Sequence, residues 1–167
     1  MTRTEAYEHM KVQYNTHLNM KKVSNDLQKA KKSIEGSEKE QYWKIREYLS
    51  KLPRSNPGST CGLQVLPQPV PQAPPVFNRM YICLDACIKG FKAGCRPLIG
   101  LDGCFLKGYY GRQLLSAVGE DANKQFYVIA YVVVDSETKD NWKWFLTLLE
   151  EDLGDHAVYG WNFISDQ

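Results

Sequence analysis

The chain has 167 residues, 43% of them hydrophobic and 24% charged, with a net charge of +2; that leaves room for one moderate core plus an appendage. No apolar run approaches the roughly 20 residues that a membrane helix needs, and the opening MTRTEAYEHMK lacks the apolar segment of a secretory signal. An intracellular chain is the expectation.

The small net charge hides an asymmetry. Residues 1–54 hold 12 Lys and Arg against 7 Asp and Glu, whereas residues 77–167 hold 9 against 12. A basic flank attracts phosphate backbones, although a charge run is more often a solvated face. Residues 1–52 read as a basic helical region, broken near Asn19 and again at Gly36. After the second break Ser37 and Glu40 have the spacing of a capping box, and Tyr42, Ile45, Tyr48, Leu49 and Leu52 recur at helical spacing. Lys29, Lys31 and Lys32 stand ahead of that break and are the candidate DNA contacts. Helix-turn-helix reading of DNA and plain helical packing both account for the pattern.

Residues 53–76 hold seven of the eight prolines. Proline removes a backbone donor and fixes φ, so Pro67 to Pro75 reads as an extended linker, with TCGLQVL before it as an edge strand. Residues 77–167 follow a different pattern. FNRMYICLDACIKGFKAGC is ambiguous between strand and helix at its start and helical by its end. RPLIGLDGCFL, QLLSAVGED and QFYVIAYVVVD read as three strands joined by turns at Gly108–Arg112 and Asp121–Lys124, short enough for an antiparallel meander. In KDNWKWFLTLLEEDLG, Asp140 is the expected N-cap, Trp142, Phe145, Leu146, Leu149 and Leu153 form one apolar stripe, and Gly154 suits the helix end. YGWNFISDQ then reads as a fourth strand. The fold class is therefore α/β: three antiparallel strands, a crossover helix and a strand parallel to the first.

Five cysteines (Cys61, Cys83, Cys87, Cys95, Cys104) fit a reducing compartment. Their spacing matches no tetrahedral zinc pattern, and they read as small buried apolar residues.

The carboxylates carry the chemistry. Asp102 sits in what should be the most buried strand, where an ionised group needs compensation. Asp166 follows the fourth strand. If the first and fourth strands are parallel neighbours, these two acids meet at one corner of the sheet, and Mg²⁺ or Mn²⁺, which prefer carboxylate oxygens, would neutralise them. The bland reading is that Asp102-Gly103 is a turn pair. Asp121, Asp135 and Asp140 read as turn or cap residues, and Glu150, Glu151 and Asp152 as a solvated helix end. Lys107, just past the first core strand, is a weaker candidate phosphate contact.

The run from CRPLIGLDGCFLKGYYG through KDNWKWFLTLLEEDLG, followed by GWNFISDQ, resembles the transposase domain of plant Mutator-like transposable elements (MULE), over about Phe77 to Gln167. IEGSEKEQYWKIREYLSKLPRSNPGST looks like the segment that precedes that domain. The resemblance implies an RNase H-like fold, a DDE-type triad binding divalent metal, DNA as partner (the terminal repeats, in intact relatives) and a nuclear location. By position Asp102 matches the first acid and Asp166 the second. The third, a glutamate, lies on a helix downstream of the second, whereas this sequence stops one residue after Asp166. The expectation is a truncated fragment with two of three acids, of ancestral DNA strand cleavage and transfer, that does not itself transpose DNA. The competing readings are a non-catalytic module that binds DNA, a protein or its own copy, and a fragment that folds poorly and aggregates through its sheet edge.

Overall fold

The computed structural model describes residues 3–15, 19–35, 38–69, 73, 75–108 and 110–165. The expected break at Asn19 is real: its side-chain oxygen accepts from Lys21 N–H at 2.8 Å, and its carbonyl accepts from Lys22 and Val23. An asparagine that satisfies these orphan donors starts a helix, so α1 (Arg3–Tyr14) and α2 (Met20–Glu35) are separate. They pack on each other with Ala6 and Val23 buried. The second break and its capping box fall on Gly36 and Ser37, outside the described residues. Residues 1–43 form one compact unit and residues 44–167 another.

Helix α3 (Glu38–Ser55) runs past the expected end at Leu52 and takes in Pro53. Proline's fixed φ suits helical backbone, and in a last turn the missing donor removes only one bond. Gly58, at φ +90°, then reverses the chain, and a Cβ there would stand 3.1 Å from the Asp85 carboxylate.

The edge strand expected from TCGLQVL is present at one end of the sheet. β1 (Thr60–Leu66) pairs antiparallel with β2 (Val76–Cys83), from Thr60↔Cys83 to Leu66↔Val76. The proline-rich stretch thus joins two neighbouring strands, and the ladder stops where prolines, lacking N–H groups, begin. The ambiguous stretch after it divides into β2 and α4 (Asp85–Gly94). Leu84, at the N-cap of α4, offers no side-chain cap, and Ser59 Oγ takes the Asp85 N–H at 3.0 Å instead.

The meander is present as β3 (Leu98–Phe105), β4 (Gln113–Glu120) and β5 (Phe126–Val134), followed by α5 (Lys139–Leu153), the single turn α6 (His156–Tyr159) and β6 (Asn162–Ser165). The sheet order is β1-β2-β5-β4-β3-β6; β3, β4 and β5 are antiparallel neighbours and β6 lies parallel to β3. The N-cap of α5 is Thr138, whose side chain accepts from Asn141 N–H, not Asp140. Asp140 sits in the first turn and pairs with Arg79 at 2.9 Å. Gly154 ends α5 at φ +81° as expected.

Helices α4 and α5 share one face of the sheet. Alternation along β4 puts Leu115, Ala117 and Gly119 toward them, and the register aligns Leu115 with Val132 and Val132 with Tyr81. Phe145 of α5 lies 6.0 Å from the Tyr81 ring, and Leu149 and Leu153 complete that seam, fully buried. Gly119 lets α4 come close, since a Cβ there would stand 2.7 Å from the Phe91 ring. On the other face Ile82 and Val133 are buried. Burial raises the Tyr131 pKa there, with Tyr48 of α3 adding to the shift.

Candidate metal-binding edge of the sheet

β6 is placed beside β3 by aromatic packing. Gly160, at φ +64°, ends α6 in the left-handed conformation and turns the chain. Trp161 is then buried, stacked on Tyr159 at 4.9 Å and 5.3 Å from Phe91. Asn162 N–H bonds Pro97 O at 2.9 Å, and the parallel register runs Leu98↔Asn162, Ile99↔Phe163, Gly100↔Ile164, Leu101↔Ser165.

Within β3 only Ile99 is buried, so this is not the most buried strand; that description suits β5. Gly100, on the face opposite Ile99, carries no side chain, and Leu98, Asp102 and Cys104 on that face are exposed. Asp102 projects on that open face, beside Ser116 in the register, and is exposed. Its carboxylate therefore bears no burial penalty to be compensated. Nor is it a turn residue: it lies inside the β3–β4 ladder, with Oδ1 accepting from Gly103 N–H at 2.8 Å. An exposed hard-oxygen donor is a fitting ligand for Mg²⁺ or Mn²⁺. Asp166 lies outside the described residues, and among the described residues no three His, Cys, Asp or Glu side chains form a group that could hold a metal ion. Around Asp102 the same face exposes Leu98, Val128 and Ile164.

The other face of this edge holds an apolar cleft of about 320 Å³, whose lining includes Leu101, Leu146, Leu153, Trp161 and Phe163 together with Glu150 and His156. Asp102, on the opposite side of β3, takes no part in it.

Glu150 and Glu151 are exposed, as expected, whereas Asp121, Asp135 and Asp152 have structural partners. Asp121 caps its turn by accepting from Asn123 and Gln125 N–H. Asp135 accepts from the Asn141 amide at 3.1 Å. Asp152, expected on a solvated helix end, is half-buried and accepts from Tyr81 Oη at 2.6 Å and from Thr60 Oγ1. Burial, with Cys83 and Asp152 nearby, raises the Tyr81 pKa well above the usual phenol range. Arg79, missed in the sequence because a lone arginine in a strand has no pattern, is nearly buried. It donates to Gln64, Asp140 and Asn141 and lies over the Trp144 ring at 4.5 Å.

All five cysteines are free, but only Cys83 is fully buried and Cys104 is exposed. Burial, reinforced by Asp152, pushes the Cys83 thiol up to about 12. Lys107 is exposed in the loop after β3, and Lys29 and Lys32 are exposed on α2. Lys29 approaches Asp26 at 4.0 Å. Position 31 is helical, and its side chain lies outside the described residues.

The fold and this edge define a mixed α/β sheet domain in which a parallel strand pair carries a solvent-facing acid. Residues 98–157 match the family model of the MULE transposase domain, which supports a MULE-type transposase family for this segment. The match starts at the first residue of β3, takes in Asp102 and ends before β6. No curated protein and no solved structure matches the chain. No helix among the described residues is long and apolar enough to cross a membrane.

Proposed function

We propose that this chain is derived from a DDE-type DNA transposase and carries part of an RNase H-like strand-transfer site, in which Asp102 and Asp166 hold Mg²⁺ or Mn²⁺. One observation carries the reading: the parallel register sets Ser165 beside Leu101, one residue before each acid in the sequence. The order β5-β4-β3-β6, three antiparallel strands with a parallel fourth, supports the RNase H-like assignment, and the family match supports the transposase origin. A divalent ion at such a site activates a water or a 3′ hydroxyl and stabilises the leaving oxygen. The chain's own part is to present the carboxylates on a rigid strand pair. Asp102 and Asp166 stand at the family's first two acid positions, so the chain is expected to bind the metal. The nucleus is the corresponding location.

Mn²⁺ titration followed by amide NMR tests the site. Paramagnetic broadening is expected at Gly103, Ser116 and Ser165, and its loss in Asp102→Asn and in Asp166→Asn. Broadening that persists in both variants, or that centres elsewhere, refutes the acid pair. Mg²⁺-dependent cleavage of linear DNA that disappears in Asp102→Asn would extend the reading from metal binding to strand cleavage.

A second reading, a DNA-binding module, is favoured by α2, which carries five lysines against Asp26 and Glu35.

A further inference from the structure

Helix α2 is continuous from Met20 to Glu35, so lysines that are far apart in the sequence occupy fixed angles around one axis. At about 100° per residue, Lys21, Lys32, Lys29 and Lys22 fall within one sector of about 100°. All four are exposed, and so is Asn25 between them. The opposite side of α2 carries Val23, which is buried, and Leu27, half-buried, where the helix packs on α1. By the same arithmetic position 31 falls about 130° from the middle of the lysine sector. Adjacency in the sequence grouped it with Lys29 and Lys32; the helix separates them.

We propose that the face formed by Lys21, Lys22, Lys29 and Lys32 is a sequence-independent contact to the DNA phosphate backbone. The proposal rests on the DNA-binding reading above. From Lys21 to Lys32 the helix rises about 16 Å, the length of roughly five phosphates along one strand at about 3.4 Å each. Lys29 alone of the four has a carboxylate neighbour among the described residues, Asp26 at 4.0 Å on an exposed surface, a contact too weak to compete with a phosphate. Asn25 adds a neutral donor to the same strip.

The test is binding of the 167-residue chain to a random-sequence duplex, followed by fluorescence anisotropy across a range of NaCl concentrations. Each phosphate neutralised contributes about −0.9 to the slope of log K against log salt, so four contacts give a slope near −3.6. Lys21→Gln/Lys22→Gln and Lys29→Gln/Lys32→Gln should each flatten it by about 1.8, whereas Lys143→Gln, an exposed lysine on α5, should leave it unchanged. Glutamine keeps helix propensity close to that of lysine, and circular dichroism verifies that the helices persist. A wild-type slope that neither double variant changes overturns the proposal while leaving DNA binding through another surface intact. Absence of duplex binding by the wild type, including the case where it binds anionic vesicles instead, overturns both the proposal and the DNA reading.

Discussion

Replacing Gly119 by alanine tests how the helical layer is seated on the sheet that carries Asp102. The new methyl would stand 2.7 Å and 2.8 Å from two ring carbons of Phe91 and 3.6 Å from Cys95 Cβ. Carbon pairs settle at about 3.5–4.0 Å, so the ring or the strand must give way by about 1 Å. Phe91 has little freedom to do so, being 1% exposed and 5.3 Å from the Trp161 ring. Overpacking of this kind costs about 1–3 kcal/mol. The backbone at Gly119 is not in the left-handed region, so alanine recovers about 0.4–1 kcal/mol through the unfolded chain. The net expectation is a loss of about 1–2 kcal/mol, or roughly 4–8 °C in Tm for a unit of this size. Urea denaturation gives the free energy directly. In a Phe91→Leu background, which removes the ring carbons concerned, the cost of Gly119→Ala should fall by at least about 1 kcal/mol. Because Phe91 also supports Trp161, amide exchange at Asn162–Ser165 should quicken relative to β4. A neutral or stabilising Gly119→Ala, or an equal cost in both backgrounds, refutes this account of the packing.

Tyr81→Phe removes the 2.6 Å bond to Asp152 and should cost about 1.5–3 kcal/mol by denaturation, since the acceptor is a half-buried carboxylate. Arg79→Met leaves the Asn141 Oδ1 acceptor without its 2.9 Å donor and should cost about 1–3 kcal/mol; an unchanged midpoint would show the cluster to be incidental. The Cys83 thiol is raised from an ordinary 9.0 to about 12 in the folded chain, so above pH 9 the unfolded chain loses that proton first. Stability should therefore fall as pH rises from about 9 toward 12, and less steeply in Cys83→Ala. Thiol labelling at pH 8 should modify exposed Cys104 first and Cys83 only after unfolding.

Periodicity and punctuation made much of the second unit legible in the sequence. The β-branched and aromatic run gave β5, the apolar stripe gave α5, and Gly154 marked its end. Order along the chain then implied that β6 runs parallel to β3, because a crossover helix separates it from the meander. The prolines marked where the edge strand TCGLQVL must end, but proline reports what a backbone cannot do, not which strand its neighbours pair with. β1 depends on a strand that begins ten residues after it ends.

Side-chain surroundings were decided by the tertiary structure alone. An apolar sequence around Asp102 suggested burial, yet burial depends on what covers each face of the strand, and Ile99 is covered while Asp102, three residues on, faces solvent. Asp152 went the opposite way, drawn out of solvent by Tyr81 and Thr60, which lie 71 and 92 positions away. Residue types and their spacing along one chain determine which elements form and in what order. Contacts between distant segments determine which face of each element meets water, and so whether a given carboxylate is held as a structural partner or stands exposed.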